Sequence, residues 1–178
     1  MTASPASPAQ VPTNDPWLRG NYTDVPAAGR AVLHALDLAI EDIRKWTEGL
    51  SDAEAHAQPL GLTPIAFHLR HLARSTDRLL TYAEGNQLSS GQLDALKAEE
   101  SGEEPLAELL AGLEEAFRSS AARVRVLAAA DLDTPRGIGR KQLPTTLGGA
   151  MIHAADHAQR HTGQVVTTAK VLRAMRNR

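Results

Sequence analysis

Residues 63–85 read TPIAFHLRHLARSTDRLLTYAEG and contain the most clearly bounded helix of the chain. Thr63 followed by Pro64 is a typical helix start, an N-cap residue and then proline at the first helical position. Gly85 is a typical helix stop, because glycine readily adopts the left-handed conformation that ends many helices. Apolar residues recur between them at the three-to-four spacing that predicts one buried face: Ile65, Leu69, Leu72 and Leu79.

Three further segments have the same periodicity, approximately residues 24–49, 105–127 and 145–178. Four helices with one apolar face each, and no predicted strand, indicate an all-α protein. Because each face can be buried only against the others, we expect a four-helix bundle. Its long loops, 87–102 and 131–144, have room for short extra helices but no convincing strand pattern.

The chain divides into an N-terminal tail, 1–22, and a helical domain, 23–178. The tail carries four prolines among small and polar residues, so we expect it to be disordered or loosely docked. Trp17 and Leu18 are large apolar residues of this tail, and we expect them to pack its end against the domain. A short acidic run is predicted to be a solvated loop: Glu99, Glu100, Glu103 and Glu104.

Composition excludes several classes of function. A net charge of -2 and 3% aromatic residues do not favour nucleic-acid binding. The absence of cysteine excludes disulfides, thiolate metal sites and a cysteine nucleophile. No apolar run is long enough for a membrane span and the start of the chain does not resemble a signal peptide, so we expect a cytoplasmic protein without membrane partners.

Five of the seven histidines lie on two predicted helices, His68 and His71 on the second and three on the fourth. His153, His157 and His161 are spaced four apart, which stacks them along one helix face. Neighbours in this series can bind one metal ion, but the outer two lie about 12 Å apart along the axis, so a third ligand must come from another helix. His34 and His56 are interpreted as surface or hydrogen-bonded histidines.

Three imidazoles without a carboxylate or thiolate leave a divalent ion with open positions, the pattern of a catalytic rather than a structural site. A di-iron carboxylate centre needs glutamate three residues before a ligand histidine. Those positions here are His68, Ala154 and Ala158, so that centre is not favoured.

Two motifs resemble the DinB-like (DinB/YfiT) family of metal-binding four-helix bundles. TPIAFHLRHLARS, residues 63–75, is similar to its second helix, with a ligand histidine before Leu-Ala. HAQRHTGQ, residues 157–164, is similar to its fourth helix, with two histidines four apart before Gly-Gln. The resemblance covers the chain from about residue 25 to its end.

The resemblance implies one divalent metal ion, nickel or zinc first and iron or manganese next, held by His71, His157 and His161. It also implies a homodimer and a thiol-dependent S-transferase, in which a metal-bound thiolate from a low-molecular-weight thiol attacks a small electrophile. A metal-dependent hydrolase and a non-catalytic metal-binding or dimerisation bundle are the alternatives. The sequence alone does not choose among them.

The roles of four other residues in or near these motifs are less closely defined. His68 lies on the apolar stripe, so helix geometry alone favours it over His71 as third ligand, whereas the family register favours His71. His68, His153 and Gln164 are candidates for supporting the ligands or contacting substrate. Gly163 is interpreted as a site of close helix packing.

Overall fold

The computed structural model describes residues 14–176, which are mainly helical and belong to the all-α class. The predicted tail up to residue 13 lies outside this range. The helices are α1 (Ala27–Thr47), α2 (Asp52–Ala55), α3 (Ile65–Ala83), α4 (Ser90–Lys97), α5 (Leu106–Leu127) and α6 (Leu147–Arg176). Two 3-10 turns lie at Pro16–Leu18 and Pro59–Gly61, and two short strands are β1 (Pro135–Ile138) and β2 (Leu143–Thr146).

Three of the four long helices begin directly after a proline. Pro26, Pro64 and Pro105 occupy the N-cap positions of α1, α3 and α5. Proline has no N–H group, and the first N–H groups of a helix have no acceptor within the helix, so it costs little there. Helix α3 thus starts one residue later than predicted. It ends as expected, since Gly85 has a φ of +86°.

The four long helices pack in a ring, in which α1 contacts α6, α6 contacts α3, α3 contacts α5, and α5 contacts α1. Their apolar faces meet inside the ring. The fully buried side chains there include Leu33, Ile43, Leu69, Leu72, Leu113, Val124, Met151 and Val165. Because α6 packs along α3, histidines on these two helices can face one another.

The segment before α6 contains a hairpin that the sequence did not predict. Strands β1 and β2 pair antiparallel, with Pro135 opposite Thr146 and Ile138 opposite Leu143. The prediction of no strand here was wrong. The strands are four residues long and contain two prolines and a glycine, so they lack an alternating pattern. Both are edge strands, where proline is tolerated, and Arg136 anchors the hairpin by donating to the carbonyl of Ala83 at 2.6 Å.

The end of the N-terminal segment is anchored by polar contacts. Trp17 and Leu18 are 62% and 54% exposed, so the expectation that they pin this segment was wrong. Arg19 instead pairs with Glu41 of α1 at 2.5 Å, and the Tyr22 hydroxyl donates to Asp37 at 2.9 Å. The polar outer face of α1 offers carboxylates here, which bind cationic and hydroxyl groups better than apolar ones.

None of the helices within residues 14–176 combines the length and apolarity that a membrane span requires.

We predict that Leu113→Ala lowers the free energy of unfolding by about 2–5 kcal/mol, because it leaves a cavity among the four long helices. Val126→Ala on the same helix is the matched control, since Val126 is 75% exposed and its truncation should cost within about 0.5 kcal/mol. Urea denaturation followed by circular dichroism measures both. Equal losses in the two variants would contradict this description of the core.

Candidate metal centre

Three histidines from two helices meet at one point. His71 of α3 and His157 and His161 of α6 each direct a ring nitrogen to a common region, and the three nitrogens lie within 4.8 Å of one another. The Nε2 atoms of His71 and His157 are 2.9 Å apart. The four-residue spacing on α6 brings the other pair together, with ring centroids 4.5 Å apart. The structure therefore unites the three histidines that the family register selected.

The donor set fits a single divalent ion. Nitrogen ligands of tetrahedral zinc lie at about 2.0–2.1 Å from the ion, and hence about 3.3 Å from one another. The observed separations require only small side-chain adjustments to reach that geometry. No carboxylate joins the group among the described residues. The three histidines could therefore hold an ion with coordination positions left open.

A buried carboxylate lies behind His71. Nδ1 of His71 is 2.7 Å from Oε2 of Glu99, and Arg78 donates to the other oxygen of Glu99 at 2.5 Å. Glu99 is 4% exposed, so its predicted place in a solvated acidic run was wrong. Glu104 also departs from that prediction, since it pairs with Arg70 at 2.6 Å. The other two glutamates of the run, Glu100 and Glu103, are exposed as expected.

The face of His71 is covered by Phe67, which lies one turn earlier on α3. The two rings are nearly parallel, at an interplanar angle of 8° with centroids 5.4 Å apart. Glu99 and Phe67 thus restrain the ring of His71 by its edge and by its face. Neither contact was expected from the sequence.

His68 lies behind His161 and not within the three-residue group. It is 3% exposed, and its Nδ1 is 3.0 Å from Nδ1 of His161. The prediction from helix geometry that His68 lies on the buried face of α3 is confirmed. The ring nitrogens that converge, however, belong to His71, His157 and His161. With Nδ1 of His161 facing His68, the Nε2 atom of His161 remains available to an ion.

Comparison with known proteins agrees with this geometry. The sequence model of the DinB superfamily matches residues 35–165, a range that includes all three converging histidines. The chain belongs to the DinB superfamily. No curated protein shows a significant match to it. The resemblance inferred from the two histidine motifs is confirmed, and the matched range includes both motifs.

Other candidates occupy the rim of this DinB-superfamily site. The side chain of His153 is 48% exposed, 3.5 Å from Asp156, and its ring centroid is 5.8 Å from that of His157. Gln164 is exposed and its side chain interacts with His161. Gly163 is also exposed, and a Cβ atom there would meet nothing within 4 Å, so its interpretation as a helix-packing site was wrong. The rim is open at these positions.

The two histidines outside the cluster are hydrogen-bonded, as interpreted from the sequence. His34 lies 2.8 Å from the side-chain oxygen of Asn21, and Nε2 of His56 lies 2.9 Å from the carbonyl oxygen of Glu104.

Burial keeps the two clustered histidines of α6 neutral near pH 7. It lowers the pKa of His157 to about 4, with further lowering by neighbouring His161 and His71. The pKa of His161 is also lowered, first by burial and then by His71, while Gln164 opposes the shift. Neutral imidazole is the form that binds metals, so the folded protein presents His157 and His161 in the protonation state that a metal ion requires.

We predict that the metal-free protein loses stability as the pH falls from about 6.5 to about 4. Burial lowers the pKa of both His68 and His157 to about 4 in the folded state. The unfolded chain takes up protons on these groups near pH 6.5 while the folded chain does not, so protonation favours unfolding in this window. Melting temperatures measured at several pH values between 4 and 7 will check this.

The double variant His68→Gln, His157→Gln should weaken this pH dependence, whereas His153→Gln on the exposed rim should leave it unchanged. Glu54 and Glu104 add to the loss in the lower part of this window, because arginine partners hold the folded pKa of each at about 2 while the unfolded chain takes up their protons near the ordinary value of glutamate. This contribution is the same in the wild type and in both variants, so it cancels from the comparison. A wild-type protein whose melting temperature is constant from pH 6.5 to 4.5 would contradict the prediction.

Proposed function

We propose that this DinB-superfamily protein binds one divalent metal ion through His71, His157 and His161 and acts as a thiol-dependent S-transferase. The observation that supports the proposal is the convergence of three imidazoles from α3 and α6. We further propose that the four long helices form the four-helix bundle of the family, with the centre between α3 and α6. The homodimer that the resemblance implies stays a prediction.

Nickel and zinc are the ions that we expect. Imidazole suits both, and a set without thiolate or carboxylate gives little preference for the harder ions magnesium and calcium. A divalent ion bound here would deprotonate an incoming thiol and hold its sulfur for attack on an electrophile.

The charges around the cluster favour an anionic nucleophile. Imidazole ligands contribute no negative charge, and the carboxylate of Glu99 is balanced by the guanidinium of Arg78 at 2.5 Å. The charge of a bound dication is therefore not cancelled by its surroundings, and the centre attracts a thiolate. Because the chain contains no cysteine, the sulfur must come from a cosubstrate.

The rim can admit and orient that cosubstrate. The side chain of His71 is 17% exposed, so the cluster can be approached from the surface. The imidazole of His153 and the amide of Gln164 lie at its edge and provide hydrogen-bonding groups for a bound thiol or its electrophile. In the reaction, a carbon–sulfur bond forms, the leaving group departs with its electron pair, and the thiol proton passes to solvent.

We predict that the wild-type protein binds about one nickel or zinc ion per chain and that His71→Ala and His157→Ala abolish or severely weaken this binding, since each removes a ligand. One control variant should retain it, and the second should weaken it far less than His71→Ala does. His153→Ala changes a rim residue one turn from His157, and His68→Ala changes the buried neighbour of His161. Isothermal titration and native mass spectrometry measure affinity and stoichiometry.

Retention of binding in His71→Ala together with its loss in His68→Ala would show that the third ligand was assigned one turn too far along α3. Absence of nickel and zinc binding in the folded wild-type protein would overturn the metal-centre proposal.

We predict that the metal-loaded protein conjugates a haloalkane or bimane electrophile with one low-molecular-weight thiol, with release of the halide. Bacillithiol, mycothiol, coenzyme A and glutathione should each be compared, with metal-stripped wild type and His157→Ala as controls. The metal-dependent rate should rise with pH until the bound thiol is fully ionised and then become constant.

Two other outcomes would replace the transferase proposal. Metal-dependent cleavage of an ester or amide panel, without thiol conjugation, would indicate a hydrolase. Metal binding with neither activity would indicate a non-catalytic binding bundle.

A further inference from the structure

A line of arginines on α3 holds the segment that follows α4. Arg70, Arg74 and Arg78 are spaced four apart and are therefore neighbours along one side of the helix. Arg74 donates to the carbonyl of Ala95 at 2.9 Å, near the C-terminal end of α4. Arg70 donates to the carbonyl of Glu99 at 2.8 Å. The backbone around Glu99 is thereby fixed against the helix that carries His71.

The side chain of Glu99 joins two groups of α3. One carboxylate oxygen accepts from Arg78 at 2.5 Å and the other lies 2.7 Å from Nδ1 of His71. Both the carboxylate and the guanidinium are largely buried, with side-chain exposures of 5% and 10%. A carboxylate can only accept at this contact, so the proton between the two groups belongs to Nδ1 of His71.

This proton decides which nitrogen of His71 can bind a metal. In a neutral imidazole, one nitrogen carries the proton and the other has a free lone pair. With Nδ1 protonated, the lone pair lies on Nε2, the atom that faces His157 at 2.9 Å. That contact is consistent with this assignment, because Nε2 of His157 can supply its proton in the metal-free protein.

We propose that Glu99 is the positioning residue of the metal centre, holding His71 in the tautomer and orientation that direct Nε2 at the ion. This inference rests on the proposed function, since it takes His71 to be a ligand. If Glu99 has this role, the segment that follows α4 is part of the metal centre, although it lies outside the four long helices. Partners of this kind typically account for a 10–100-fold difference in metal affinity.

Glu99 is not itself a fourth ligand in this arrangement. It contacts Nδ1, whereas the converging atom of His71 is Nε2, and these atoms lie on different edges of the ring. It also has no place in the convergent group of three. Its effect on an ion therefore passes through His71.

The decisive substitution is Glu99→Gln, which preserves size but not hydrogen-bonding character. The amide has one accepting oxygen, while the site has two groups that donate to Glu99. Arg78 can only donate, so the amide oxygen turns to Arg78 and the amide nitrogen turns to His71. We expect the proton of His71 to move to Nε2, which blocks the lone pair that the ion needs.

Two measurements test this. Ring-nitrogen chemical shifts of His71, recorded by NMR on the metal-free protein above pH 7, should show Nδ1 protonated in the wild type and Nε2 protonated in Glu99→Gln. Zinc titration should show affinity about 10–100-fold lower in the same variant. Glu100→Gln is the matched control, because it makes the same change of charge at the adjacent, exposed position.

The outcomes distinguish the inference from the proposed function. Protonation of Nε2 in the wild type, or equal affinity in the wild type and Glu99→Gln, would overturn the positioning role. An equal loss in Glu100→Gln would overturn it too, since it would indicate only a long-range charge effect. A wild type that binds no metal refutes the proposed function, while the NMR measurement still decides whether Glu99 sets the tautomer.

If Glu99→Gln does not fold, as judged by circular dichroism, Glu99→Asp provides the test. It keeps the charge of the pair with Arg78 but shortens the reach to Nδ1. We expect it to preserve the Nδ1 proton only in part and to weaken zinc binding. Wild-type affinity and an unchanged tautomer in this variant would again overturn the proposal.

Discussion

The packing of α6 along α3 is the contact on which the candidate metal centre depends. Neither helix alone carries enough ligands. Helix α6 contributes two histidines that can bind the same ion, His157 and His161, and α3 contributes one, His71. Helices α3 and α6 contact each other, and each has a buried apolar face, with Leu69 and Leu72 on α3 and Met151 and Val165 on α6. The packing of these faces sets the separation and rotation of the two helices. Once those faces are packed, three nitrogens lie within 4.8 Å of one another.

This arrangement places the polar side chains of the cluster beside the apolar core and gives each of them a hydrogen-bond partner. A buried imidazole or carboxylate is costly unless it has hydrogen-bond partners. His161 contacts His68, His71 contacts Glu99, and Glu99 contacts Arg78. The cluster is thus held from behind by hydrogen-bonded groups, while its rim at His153 and Gln164 faces solvent. The cluster is therefore ordered on its buried side and open to solvent at its rim.

The acidic run shows how local reasoning fails at such a site. Four glutamates within six residues, next to glycine and proline, have the composition of a solvated loop. Two of them are solvated, but Glu99 is buried and Glu104 forms an ion pair with Arg70. Their partners lie on α3, more than twenty residues earlier in the chain, so no pattern within the run could reveal the difference. The only signal was the spacing of Arg70, Arg74 and Arg78, a row of cations that needed acceptors.

The sequence by itself determined the helical segments, the superfamily, and the three histidines that the family register selected, because helix periodicity, proline starts and short motifs are local properties. It did not separate His68 from His71 by geometry, since both lie near the buried side of α3 and three residues apart. Only the tertiary structure decided which ring faces α6, which glutamate is buried, and that residues 135–146 form a hairpin. These outcomes depend on contacts between segments that are distant in the sequence, and the energies of such contacts cannot be read from the pattern of any one segment.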